Sequence, residues 1–177
     1  MAHYQFESIH PFYDGNGRTG RIRNVLYLVK EGLLDSPILY LSGHIIRRKG
    51  DYYRLLQAVR TDGGWIEWVN FMLEAVERTA GQTLQTVESI VRLMDEMAKI
   101  ARERLPKSSY SGELVELLFV QPYVKIAHIV EAGLAERRTA SKYLRQLEQI
   151  GLLGSYKLWK EQIFVNRRLV ELLRMSS

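Results

Sequence analysis

Apolar residues recur at helical spacing along most of this chain, so the dominant prediction is helix. Tyr4 to Ile9 reads as the tail of a helix. Gly17 to Glu31 puts Ile22, Val25, Leu26 and Val29 on one face and stops at Gly32. Asp35-Ser36-Pro37 is a turn. Ser42 is the expected cap of a short helix to Lys49, and Asp51 of another to about Val59. Asp62-Gly63-Gly64 then breaks the pattern. From Trp65 to about Arg104 there is no proline and one glycine, Gly81. Trp68, Phe71, Met72, Ala75 and Val76 keep the helical period, as do Val87, Ile90, Val91, Met94 and Met97. This predicts one very long helix, or two in line with a kink near Gly81, the second half leading out of the first domain as an arm.

Leu105-Pro106-Lys107-Ser108-Ser109 closes that helix and is the predicted domain boundary, dividing the chain into residues 1–105 and 106–177. Beyond it the pattern changes. Gly112 to Phe119, Val124 to Glu131 and Glu136 to Ile150 are predicted helices. Leu152 to Lys157 and Gln162 to Val165 are strand candidates joined by a charged turn, and Arg167 to Met175 is a last helix. Three helices followed by a two-stranded hairpin is the winged helix-turn-helix plan, with Gly133 in the turn between helices two and three. The run from Thr139 to Leu147, followed by Gly151-Leu152-Leu153, resembles the recognition helix and the start of the wing in bacterial winged-helix regulators. Leu144 and Leu147 would face the core; Arg137, Arg138, Thr139, Ser141, Lys142 and Arg145 would face outward. Such side chains hydrogen-bond phosphates and base edges, so DNA is one expected partner. Winged helices also dock proteins, and both readings stand.

Composition narrows the class without changing the elements. With 46% hydrophobic and 25% charged residues, the 177-residue chain reads as soluble and globular. It has no cysteine, no apolar run of the roughly eighteen residues a membrane span needs, and no basic-then-apolar start. The expectation is a cytoplasmic protein with no membrane partner. Charge is uneven: residues 1–105 hold 14 basic and 13 acidic side chains, residues 106–177 hold 11 and 7. The basic excess sits in the smaller module and favours an anionic partner there.

The candidate chemistry is concentrated in His10-Pro11-Phe12-Tyr13-Asp14-Gly15-Asn16-Gly17-Arg18-Thr19-Gly20-Arg21. This loop runs straight into a predicted helix, whose first N–H groups and positive dipole end attract anions. Gly15 and Gly17 allow positive φ and close backbone approach to a ligand. Together they describe a phosphate site. Pro11 stiffens the turn, Phe12 is expected to pack inward, and Tyr13 has no assigned role. His3, His44 and His128 show no ligand spacing and read as surface or half-buried residues.

Position for position, the string resembles the signature of the Fic (Fic/Doc) family, His-Pro-Phe-x-Asp-Gly-Asn-Gly-Arg-x-x-Arg. The resemblance implies a nucleotidyltransferase that moves AMP from ATP onto a Ser, Thr or Tyr hydroxyl of a target protein. It implies His10 as general base, Asp14 as the ligand of Mg²⁺, and Gly15, Asn16 and Gly17 as the anion cradle. Arg18 and Arg21 would contact the phosphate chain. The roles suit the groups: imidazole exchanges protons near neutrality, Mg²⁺ takes oxygen ligands, and guanidinium forks onto phosphate. Tyr52-Tyr53 is a weaker echo near the nucleotide pocket, and amphipathic-helix core is the competing reading for that pair.

The resemblance covers roughly residues 3 to 80; the remainder resembles the winged-helix tail of some bacterial Fic proteins. The implied fold is mainly α: a helical Fic-type core and a small winged helix-turn-helix domain. In the family, several helices and a β-hairpin flap precede the motif, whereas only Met1 to Ile9 do so here. The expectation is therefore the C-terminal part of a longer protein, inactive or weakly active alone. Exposed apolar surface on such a core makes a homodimer plausible. The alternative class is a non-catalytic winged-helix regulator, for DNA or protein, with a relic nucleotide site.

Overall fold

A computed structural model of the chain describes residues 1–159 and 161–175. Contacts divide it into two compact units, residues 1–85 and 86–177. The expected boundary at 105/106 marks the end of a helix. The contacts divide earlier because Leu93, Met97, Ala101 and Leu105 are buried in the core of the second unit.

The first unit is helical. Helix α1 (Ala2–Ile9) leads into the motif loop, and α2 (Asn16–Lys30) leaves it. Two short-linked helices follow, α3 (Leu41–Arg47) and α4 (Lys49–Asp62), then α5 (Trp65–Arg104), which begins in this unit. Ile45, Tyr52, Leu55, Val59, Trp68 and Phe71 form one buried cluster, and Val25, Leu39 and Leu41 another. Gly63 at φ 66° ends α4, the conformation that closes many helices and that glycine adopts without penalty. Neither expected cap is used. The N-caps are Tyr40 and Arg48, Ser42 instead accepts a bond from Arg21, and Asp51 pairs with Arg48 and Arg54. Helix α5 runs unbroken past Gly81, where an added Cβ would meet open space, so nothing local demands a break.

The second unit holds the end of α5 and then α6 (Gly112–Val120), β1 (Tyr123–Val124), α7 (Ile126–Glu131), α8 (Arg137–Gln149), β2 (Gly154–Leu158), β3 (Glu161–Val165) and α9 (Arg167–Met175). This is the winged-helix order with one addition. Val124 was expected to open a helix, but it and Tyr123 form a strand. They are extended and pair antiparallel with β3, Tyr123 opposite Val165 and Val124 opposite Phe164, so the sheet order is β1-β3-β2. Pro122 favours extended backbone before it and donates no N–H, and its carbonyl accepts from Asn166. Leu152 and Leu153 precede the strand rather than join it, and are buried in the core. Within the expected charged turn, Lys160 lies outside the described residues. Ser111 caps α6 through its Oγ, which accepts from Leu114 N at 3.1 Å. Leu144 and Leu147 are fully buried, as the spacing predicted. Among the described residues, no helix is long and apolar enough to cross a membrane.

Candidate active site

The motif loop is held from below by one amide. Asn16 is 2% exposed. Its Oδ1 accepts from Phe12 N at 2.9 Å, and its Nδ2 donates to Phe12 O at 2.6 Å. The two bonds close a small ring around Tyr13, Asp14 and Gly15 and fix where the loop enters α2. The Asn16 side chain is therefore spent on the backbone, and its share of an anion cradle falls to its own N–H. Phe12, expected to pack inward, is half exposed; it touches the ring of Phe6, with centroids 6.2 Å apart. Its backbone, not its ring, anchors the loop.

Gly15 is the N-cap of α2 at φ 84°, a left-handed conformation that side chains disfavour. No side chain caps this helix start, so its first N–H groups have no side-chain acceptor from the cap. Gly17 is helical rather than left-handed; it is among the glycines without positive φ. What Gly17 supplies is room, since a Cβ there would lie 3.0 Å from a terminal nitrogen of Arg21. Asp14 Oδ1 accepts from Gly15 N at 2.6 Å, and its Oδ2 pairs with Arg18 at 3.1 Å. Arg21 Nε donates to Ser42 Oγ at 2.8 Å, which ties α2 to α3.

His10 closes α1 in a left-handed conformation, φ 50° and ψ 56°. Its Nδ1–H donates to the Glu7 carbonyl at 3.4 Å. That tautomer leaves the Nε2 lone pair available to accept a proton. His10, Asp14, Gly15, Asn16, Gly17, Arg18 and Arg21 line one cavity of about 400 Å³ together with Ile45, Ile46, Lys49, Tyr52 and Tyr53. The tyrosine pair is thus brought to the motif, while one member also serves the core. Tyr52 is 3% exposed and packs against Trp68 and Phe71; Tyr53 is half exposed and meets Tyr52 edge-on at 5.3 Å.

Two histidines expected near the surface are buried. His3 Nε2 bonds the Tyr52 hydroxyl at 3.0 Å, and its ring stacks on Trp68. Burial lowers its pKa to about 4. Glu7, one turn on, is pushed up by burial, and burial also raises Tyr52 well above an ordinary phenol. His44 is buried beside Phe71, and burial lowers it too. The sequence hint for His3 is its i, i+4 spacing to Glu7 on one helix face. Lys49 was also missed; its only signal is its place three residues before Tyr52.

In the second unit, Arg137, Arg138, Thr139, Lys142 and Arg145 are exposed on α8, and Ser141 is half-buried. All six line one open concavity of about 1040 Å³ with Ile126, Gln146 and Gln149. Among the described residues, none of those four cations forms an ion pair.

An open helix start, a glycine turn and a histidine with a free ring nitrogen meet around one cavity, in a helical unit whose chain continues into a winged helix. Comparison with known proteins finds similarity over two parts of the chain. Residues 1–28 match the Fic/DOC family, and residues 93–169 match the C-terminal domain of SoFic-like protein adenylyltransferases. The proteins named Protein adenylyltransferase Fic from Aedes aegypti and Culex quinquefasciatus are each 40% identical over 79 residues, covering 45% of this chain and 14% of theirs. The protein of that name from Drosophila grimshawi is 32% identical over 79 residues, 45% of this chain and 15% of its own. Both matched segments are thus similar to parts of Fic-family proteins, and the stretch shared with these relatives is about one seventh of their length.

Proposed function

We propose that the first unit carries the catalytic motif of a protein adenylyltransferase. The observation behind this reading is the meeting of His10, the uncapped start of α2 and the cations Arg18 and Arg21 around one cavity. A hydroxyl oxygen of a target Ser, Thr or Tyr attacks the α-phosphorus of ATP. Its proton passes to Nε2 of His10, and the bond to the leaving oxygen breaks, releasing pyrophosphate. The N–H groups of Asn16 and Gly17 and the two guanidiniums offset charge on the phosphate oxygens. Asp14 fits a Mg²⁺ partner: its side chain is 91% exposed, and this ion commonly takes one or two carboxylates with phosphate and water. Mg²⁺ would neutralise phosphate charge there, once Arg18 shifts from Asp14 to the nucleotide. Incubation with ATP labelled on the α-phosphate, Mg²⁺ and candidate target proteins tests the reading. Label should move to a hydroxyl side chain, and His10→Ala should slow the transfer about 10²–10⁴-fold while ATP affinity stays close to the parent's. Transfer at the parent rate in that variant removes His10 from the role of base.

A separate observation favours a second role for the winged helix. Four cations without carboxylate partners share one exposed face of α8 with Thr139 and Ser141. We infer a contact with duplex DNA, whose phosphates would release counterions on binding. Affinity should fall steeply with salt, and Arg138→Glu with Lys142→Glu should abolish it with little change in melting temperature. A chain that binds no duplex at low salt refutes this and leaves protein docking as the role of α8.

A further inference from the structure

Three cations line the cavity beside the motif, and they are not in the same state. Arg18 is paired with Asp14 at 3.1 Å, and Arg21 donates to Ser42 at 2.8 Å. Each guanidinium is already held through one of its nitrogens, with its other N–H groups still free to meet an anion. Lys49 has no such commitment. Among the described residues it meets no carboxylate and no hydrogen-bond acceptor; its Nζ sits 5.8 Å from the centre of the Tyr53 ring. That ring restrains the ammonium by a cation–π contact without neutralising it. Lys49 opens α4, so it reaches the cavity from an element separate from the motif helix.

Charge points the same way. With Lys49, the cavity lining carries two more cations than carboxylates; without it, only one more. A nucleoside triphosphate carries about four negative charges, and about two once a divalent cation is bound, so the larger surplus is the better match. We propose that Lys49 is a further nucleotide-binding residue of this site, contacting the phosphate chain from α4 while its stem stays on Tyr53. The proposal rests on the nucleotide reading above. It adds a ligand contact outside the motif.

Lys49→Met keeps the stem against Tyr53 and removes the charge; Lys49→Arg keeps the charge. Lys49 is exposed, and circular dichroism checks that each variant is folded. Calorimetric titration of this chain with ATP should show about a tenfold loss of affinity in the methionine variant and near-parent affinity in the arginine variant. Adenosine, which has no phosphate, should bind all three alike. ATP affinity unchanged in Lys49→Met overturns the role of Lys49 while leaving the nucleotide reading intact. So does an equal loss for adenosine, which would mean that the stem rather than the charge matters. A parent chain that binds no ATP overturns both.

Discussion

Replacing Asn16 by alanine should unfasten the motif loop. The change removes two bonds, at 2.9 and 2.6 Å, and leaves the N–H and C=O of Phe12 without their partners. A net hydrogen bond is worth about 0.5–1.5 kcal/mol, so the pair accounts for about 1–3 kcal/mol. Each kcal/mol lowers the midpoint of a unit of this size by about 4–8 °C. Thermal unfolding followed by circular dichroism reads the loss, and hydrogen exchange at the Phe12 amide locates it. Asn16→Asp separates the two bonds. It keeps an acceptor for the Phe12 N–H but turns a second acceptor toward the Phe12 carbonyl, in a position 2% exposed. The new carboxyl should therefore hold its proton, with a folded pKa above the unfolded value. Its stability is then greatest below the unfolded pKa and falls as pH rises through the folded one. Because a displacement of about 1 Å can cost 10²-fold in rate, transfer should fall by more than stability alone explains. Alanine at 16 with parent midpoint and parent protection at Phe12 would refute the loop-fastening role.

Two further outcomes follow from the buried cluster behind the motif. His3 has a folded pKa of about 4 against 6.5 unfolded, so the unfolded chain binds the extra proton between these values and stability falls as pH drops through that window, by at most about 3 kcal/mol. Glu7, pushed up by burial, opposes this, and His3→Gln should flatten the fall; urea midpoints from pH 7 to 4 that match the parent's would refute it. Gly20→Ala should destabilise by about 1–3 kcal/mol, because its Cβ would run into Glu7 Oε1 and come within 3.0 Å of the His3 ring; an unchanged denaturant midpoint would show that Glu7 swings clear.

Much of this molecule is legible in the residue pattern because periodicity records which face is buried. Leu144 and Leu147 lie inside and Arg138 and Lys142 outside, as a 3.6-residue period requires. What failed was local competition. Ser42 is a good cap in isolation, but its hydroxyl is taken by Arg21, distant in sequence. Val124 suits a helix or a strand; the partner that decides, Phe164, is forty residues away. The motif identified its residues but not their division of labour. Asn16 is spent on the Phe12 backbone, Gly17 provides space rather than a left-handed turn, and Phe12 lies half outside. His3 left only its spacing to Glu7 as a hint: a buried neutral histidine looks like any polar residue until Tyr52, from a different helix, appears beside it.

Tyr52 belongs at once to the wall of the cavity and to the cluster formed by Ile45, Leu55, Val59, Trp68 and Phe71. Ile45 also stands in both places, so occupancy and folding are thermodynamically linked through these two side chains. A ligand present at a hundred times its dissociation constant would add about 2.7 kcal/mol to the stability of this unit. The converse constrains divergence. Altering Tyr52 or Ile45 to admit a different ligand would open a hole in the core, so drift in ligand preference falls most readily on the rim, where Ile46, Lys49 and Tyr53 are exposed and can change at little structural cost.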